Sequence, residues 1–430
     1  MHHGKIAIIN IFLCSGLFFT SLAFGQFEIV EPEPFRRDEI GDRSFHYNPQ
    51  SFIDRFTYRF FPAYFREWEK NRRGFRISAG SVSSDDMFIA SQFQEKWFLE
   101  ENIFGTVQYR RDEDFDSRFD RLLLGAGINF LNNWSFTTLA DLAQDKEDID
   151  LRFDLEWVQN PPVSKINYTS NIPNKTTPPI GNRLRISLVL PDNYYNGKSN
   201  EGSYENKPLT IFGETALFIG TDSLLHLWIN NNFDTQLLLN DDQSTYSYSQ
   251  FSAGTRADLK VSEYLRLLLR LRGEKGNQER ENSKVIHNNQ TFDRKNLITE
   301  TQFDLNVTPS LTLWIGHRYF YLREHDERPL DIQHTRFIKR SENCAHFGLI
   351  WSIENNFKFA PGIYLNSIDN TDRFTFNDQP LINDDDVTSR LSLPLLYEFS
   401  QHAGRLIIQP NLELPGNIFG GLNVQLQFLL

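Results

Sequence analysis

From about residue 73 onward, apolar and polar residues change places at nearly every step, stretch after stretch. Between Tyr264 and Gly273 the chain reads YLRLLLRLRG. Leu265, Leu267, Leu269 and Leu271 fall on one set of alternate positions; Arg266, Leu268, Arg270 and Arg272 fall on the other. From 149 to 157, Ile149, Leu151, Phe153, Leu155 and Trp157 alternate with Asp150, Arg152, Asp154 and Glu156. Successive side chains of a strand point to opposite faces, so this period of two predicts strands with one apolar and one polar face. A helix is the competing reading of 264–273. At 3.6 residues per turn, however, its leucines spread round the cylinder and leave no clean stripe.

The pattern yields about 18 strands (16–18) between residues 73 and 430. Their connections alternate in length. Short ones are LEEN, LNN, TDS, VSEY, TPS, ENN and SQHAG; between them lie the longer, charged RRDEDFDSR, GEKGNQERENSKVIHNNQ, REHDERPLDIQHT and DNTDRFTFNDQPLINDDD. One connection breaks the rule: NPPVSKINYTSNIPNKTTPPIGN is long where a short turn is due. It reads either as an extra strand or as an extension into the periplasm. Short turns on one rim and long loops on the other are what a membrane-spanning barrel shows. The predicted fold is therefore all-β: a transmembrane antiparallel up-and-down β-barrel over 73–430, preceded by a short N-terminal periplasmic segment.

The N-terminus and the composition decide which solvent each face meets. MHHGKIAIINIFLCSGLFFTSLAFGQ has a basic start at Lys5, an apolar run to about Phe19, and Ala23 and Gly25 where a signal peptidase reads. It predicts a signal peptide over 1–25, cut before Gln26. The run is short for an anchoring helix, and no later segment is long and apolar enough to be one. Cys14 leaves with the signal, so only Cys344 remains and no intrachain disulfide can form. The chain carries a net charge of −12 and 38 Phe and 15 Tyr, yet only 40% of its residues are apolar. Hydropathy alone would read as soluble. A barrel reads the same way, because only every second strand residue faces lipid while the polar face lines a wet interior. Trp97, Trp134, Trp157, Tyr264, Phe357 and Phe399 sit beside short turns, where an interfacial aromatic girdle belongs.

The chain ends FGGLNVQLQFLL, with Leu422, Val424, Leu426, Phe428 and Leu430 on one face and Gly421, Asn423, Gln425 and Gln427 on the other. This resembles the last strand of bacterial outer-membrane β-barrel proteins, whose assembly signal is a glycine followed by spaced apolar residues and a late aromatic. Gly421, Val424, Leu426 and Phe428 match; Phe419 and the trailing Leu429 and Leu430 depart from it. The resemblance implies the bacterial outer membrane as location, and lipid, lipopolysaccharide and the barrel-assembly machinery as partners. The strand count is similar to that of polysaccharide-export barrels.

A barrel of this size is too wide for side chains to close and leaves a water-filled lumen unless plugged. Residues 26–72 precede it. Within them Ile53, Phe56, Phe60, Tyr64 and Trp68 recur at helical spacing, but Pro62 interrupts the series. They read as a lid or plug, or equally as a segment packed on the barrel. The inner faces lean basic. Arg183, Arg185, Arg256, Lys260, Arg266, Arg270 and Arg272 fall there, with Glu300 and Asp304 as the nearest acids of the basic stretch. Arginine binds carboxylate or phosphate through a charged fork, which points to a channel, porin-like or an exporter, for hydrophilic and anionic solutes or polymer. The alternatives are arginines that merely pair with acids of the next strand, and a non-conducting scaffold, adhesin or polysaccharide anchor.

An outer-membrane hydrolase is the remaining reading. His226, His317 and His346 lie in strands, but a triad cannot be recognised from spacing. No metal, nucleotide, CxxC or haem motif appears, so no catalytic residue, metal or cofactor is expected, and no nucleic acid. The acidic run Asp384, Asp385 and Asp386 reads as a solvated loop, or as a calcium or lipopolysaccharide bridge.

Overall fold

The computed structural model describes residues 74–81, 87–113, 118–131, 133–142, 150–159, 182–191, 202–219, 223–239, 244–286, 289–330, 335–354, 356–374, 380–399, 404–414 and 418–429. The signal peptide, the segment 26–72 and most of the long connection after residue 159 lie outside them. The strands are β1 (Gly74–Ser81), β2 (Met87–Phe98), β3 (Ile103–Glu113), β4 (Arg118–Phe130), β5 (Trp134–Asp141), β6 (Leu151–Val158) and β7 (Arg183–Leu190). Next come β8 (Ser203–Asn206), β9 (Thr210–Ile219), β10 (Ser223–Leu239), β11 (Ser244–Lys260), β12 (Leu265–Asn282), β13 (Gln290–Thr308) and β14 (Leu311–Glu327). The last are β15 (Arg336–Glu354), β16 (Phe357–Phe359), β17 (Gly362–Phe374), β18 (Pro380–Ser392), β19 (Leu395–Phe399), β20 (Gly404–Leu414) and β21 (Ile418–Leu429).

All belong to one antiparallel sheet, and β1 pairs with both β2 and β21, so the sheet closes. The strand with the resemblance to the assembly signal is the one that shuts the barrel. Its Gly421 has φ 107°, a left-handed conformation open to glycine, opposite the register shift between Pro410 and Leu412. Of the twenty-one segments, β8 is a short addition to β10, while β16 with β17 and β18 with β19 are halves of two broken strands. That leaves eighteen staves among the described residues. Prolines mark both breaks and the bulge in the next strand. Pro361, Pro394 and Pro410 cannot donate to the ladder, yet their carbonyls still accept from Leu349, Ala360 and Leu393.

The faces are inverted relative to a soluble sheet. Along β7, Arg183, Arg185 and Ser187 are buried while Leu184, Ile186 and Leu188 are exposed; Arg183 is 3% exposed and Ile186 48%. In water this order would be strongly unfavourable. With lipid outside it is the expected one, and the molecule is an outer-membrane-type β-barrel. Trp97, Trp134, Tyr264, Phe357 and Phe399 stand at strand ends joined by short connections, while Trp157 faces Trp134 across the ladder but precedes the long connection after residue 159; those within strands have the outward parity.

The strands expected near 264–279, 293–307 and 311–326 reach a few residues further into the long connections. Residues 273–282 continue β12, 290–296 belong to β13, and 323–327 to β14. Asp384, Asp385 and Asp386 are in β18, paired to β17, and not in a loop. Alternation is lost there because both faces of a hairpin that rises out of the membrane meet water, while the hydrogen-bond ladder carries on.

Candidate functional site

The inner wall of the barrel is the candidate site, and β12 is its centre. Even-numbered residues of β11 to β14, and of β10 up to the bulge after Asn232, point inward. The register sets Arg256 opposite Arg270 and Lys260 opposite Arg266. On the other side it sets Arg266 opposite Asp304 and Arg270 opposite Glu300. Two cation–cation neighbours are thus flanked by two cation–acid neighbours, which offsets the repulsion of like charges across a strand pair.

The side chains pair unevenly. Arg266 Nε lies 3.1 Å from Asp258 Oδ1 and Arg272 Nη2 lies 3.4 Å from Glu274 Oε2. Arg270 Nη1 is 3.9 Å from Glu300 Oε2, the limit of an ion pair. The Arg270 side chain is 49% exposed, Arg266 28% and Arg272 27%, while the three acids are buried. Trp228 of β10 lies flat across Gly254 of β11: a Cβ on that glycine would sit 2.6 Å from the indole. The ring thereby reaches Arg272, whose guanidinium carbon is 5.5 Å from its centroid.

The wall from β6 to β10 is different. Arg183 Nε is 2.6 Å from Glu156 Oε1 and its Nη2 is 2.9 Å from Glu214 Oε1. Arg185 Nε is 3.1 Å from the same oxygen, and His226 Nε2 is 3.3 Å from Glu214 Oε2. Arg185 also stacks on Phe212 at 4.9 Å, and Arg152 Nε bonds Asp154 Oδ1 at 2.7 Å. Glu214 is the hub of a buried cluster. Arg183 and Arg185 are inward, but both are engaged there and little exposed to a solute.

These placements correct the charge balance read from the sequence. Glu300 and Asp304 are not the only acids facing the basic stretch: Asp258 and Glu274 lie on the same inner faces as the arginines and pair with them. Glu214 was likewise missed. The signal was available for Asp258, which lies two residues from both Arg256 and Lys260 and so shares their face, and for Glu274, two residues beyond Arg272. Elsewhere, Arg294 is 3.5 Å from Glu324, Lys358 is 3.5 Å from Glu398, and Arg340 is hydrogen-bonded to Glu342.

No sequence signal pointed to the third feature, an apolar cluster on the inner face of β14 to β20. It comprises Trp314, Cys344, Ile350, Ala360, Tyr364, Leu396 and Ile407. Trp314 covers Gly348 and Gly362, and the His346 ring lies 5.6 Å from Trp314 and 5.9 Å from Tyr364. His317 is on the opposite, outward face of β14, away from His226 and His346.

No family model matches the chain, and no curated protein does. Several solved structures are similar in fold. OccAB3 of Acinetobacter baumannii is 11% identical, with a TM-score of 0.40, covering 83% of this chain and 97% of that one. OccK10 (OpdN) of Pseudomonas aeruginosa is 10% identical, with a TM-score of 0.40 and 84% and 98% covered. The outer membrane channel DcaP of Acinetobacter baumannii is 10% identical, with a TM-score of 0.36 and 83% and 95% covered.

Proposed function

We propose that the barrel is a water-filled channel for hydrophilic solutes whose β12 wall favours anions. One observation carries the reading: Arg270 is half exposed on the inner face, with its one ionic partner among the described residues at the 3.9 Å limit. A guanidinium held in a tight pair is satisfied. One left half wet in a low-dielectric wall can offer its fork to a passing carboxylate or phosphate. Arg266 and Arg272 flank it on the same face, and Arg256 stands opposite. The acids of this wall are buried while Arg266, Arg270 and Arg272 are partly exposed, so the charge a solute meets is mainly positive and concentrates anions over a range of about 8–10 Å at physiological salt.

Single-channel recording in planar bilayers tests this. The wild type is expected to conduct in steady steps with an anion-selective reversal potential, most strongly in dilute electrolyte. Replacing Arg266, Arg270 and Arg272 with glutamine keeps the wall polar and moves the reversal potential toward neutral or cation-selective. A conducting wild type that prefers cations, or a triple variant with unchanged selectivity, would sink anion selection.

A second reading is a closed scaffold or polysaccharide anchor. The observation that favours it is the inner apolar cluster around Trp314 and Tyr364, since apolar side chains exclude water from the part of a lumen they line. Absence of conductance from folded barrel would select this reading. The strand histidines give no support to a hydrolase, because His317 faces away from the other two.

A further inference from the structure

On the outside of the barrel, one row of side chains breaks the usual rule for neighbouring strands. Lys275 of β12 is paired with Lys295 of β13, Lys295 with Arg323 of β14, and Arg323 with Lys339 of β15. All four are exposed. They share the outward parity of Leu269, Phe303, Ile315 and Phe347, which face lipid lower down. Directly opposed like charges weaken a strand pair. Here three such oppositions follow one another, and among the described residues none of the four has a carboxylate at salt-bridge distance. The Arg323 guanidinium lies 5.6 Å from the Phe337 ring, which Arg373 approaches at 5.4 Å, adding a fifth cation beside the row.

The height of the row is fixed by the register. Leu265, Leu305, Leu313 and Leu349 form the matching row near the short turns, about ten residues lower on each strand. Ten residues at about 3.3 Å make about 33 Å along a strand, or roughly 23–27 Å along the membrane normal at a tilt of about 35–45°. The apolar band of such barrels is about 25 Å tall. The four cations therefore emerge where outer-leaflet headgroups begin. Gly273, Leu297, Tyr321 and Ser341 form the row just beneath, with Tyr321 in the position of an interfacial anchor.

We propose that Lys275, Lys295, Arg323 and Lys339 form a docking row for phosphorylated glycolipid headgroups of the outer leaflet. Charge complementarity and continuity with the lipid-facing surface identify the occupant. The acyl chains lie against the apolar band below, and the phosphates fall between opposed cations, which turns their mutual repulsion into attraction. Three strand spacings of about 4.8 Å make the row about 14 Å long, enough for more than one phosphate. The contact is direct, without a bridging metal, and does not depend on whether the lumen conducts.

The test is a binding measurement on purified, detergent-folded barrel by native mass spectrometry. Diphosphoryl lipid A, monophosphoryl lipid A and inorganic phosphate are compared, with and without EDTA. The wild type should retain diphosphoryl lipid A in EDTA. K275Q/K295Q/R323Q/K339Q should lose about tenfold or more of that affinity, with a smaller loss for the monophosphoryl form. All four positions lie outside the apolar band, so heat-modifiable folding should persist. If the quadruple variant does not fold, K295Q/R323Q should give the same direction with a smaller loss. Equal retention by wild type and folded variant would overturn the proposal. So would displacement by inorganic phosphate at the lipid's own concentration, which marks a simple ion site, or retention abolished by EDTA, which marks bridging through acidic groups.

Discussion

The wall around Glu214 and the wall around Arg270 are made of the same residue types and do opposite things. At Glu214, two arginines and a histidine converge on one buried carboxylate and are themselves largely buried. At Arg270, the carboxylate is buried but the guanidinium is half wet and nearly 4 Å away. Direct opposition is common to both, since Arg270 stands across from Glu300 as Arg185 does from Glu214; the difference is what else surrounds the acid. Arg185 of β7 sits directly opposite Glu214 of β9, and Arg183 is its neighbour on the same face, so both cations reach the same oxygen. On β12 the cations face other cations on one side; Arg266 pairs with the diagonal Asp258, Arg272 with Glu274 two residues along its own strand, and Arg270 reaches the opposed Glu300 only at the limit of an ion pair. Inward arginines therefore do not report a binding surface by themselves. Only those left partly exposed are placed to meet a solute.

Breaking the buried hub should produce the largest effect. Glu214→Ala leaves Arg183, Arg185 and His226 buried without their common partner. Loss of one member of a buried pair costs about 3–5 kcal/mol. The folded barrel should denature at clearly lower urea, whereas Arg270→Gln should move the midpoint by less than about 1 kcal/mol. Equal shifts for the two variants would erase the distinction between the walls.

Moving an arginine by one residue sharpens the contrast between inside and outside. Arg270 is stable on the inner face, but Leu269 beside it faces lipid. Leu269→Arg should cost roughly 2–4 kcal/mol near the membrane midplane, read as loss of the heat-modifiable form in liposomes. A harmless substitution would mean that the two faces of β12 are exchanged.

A smaller effect should follow from Gly254→Val. The added side chain meets the Trp228 indole and must push it off the wall, away from Arg272. Overpacking of this kind costs about 1–3 kcal/mol. Red-shifted tryptophan emission, with the barrel still folded, is the expected readout. An unchanged spectrum would show that the ring does not hold Arg272 in place.

The sequence by itself determined the faces, the rims and the number of staves. Strand parity is a property of consecutive residues, so the lipid side of Leu265, Leu267, Leu269 and Leu271 could be read directly. The short turns at 99–102, 261–264 and 308–310 mark one rim without reference to anything distant. The alternation predicts about eighteen strands (16–18), and eighteen staves stand among the described residues although prolines split two of them. Only the tertiary structure decided what each inner or outer side chain meets. Whether Arg266 finds Asp258 or Asp304, whether Glu214 serves one arginine or two, and whether Lys275, Lys295, Arg323 and Lys339 stand abreast all depend on how adjacent strands slide past one another. A shift of two residues would preserve every face and change every partner. Beyond the membrane the local signal also disappears, because both faces of a hairpin are wet. The alternation carries β12 to about residue 279, and the backbone ladder with its neighbours takes it on to Asn282.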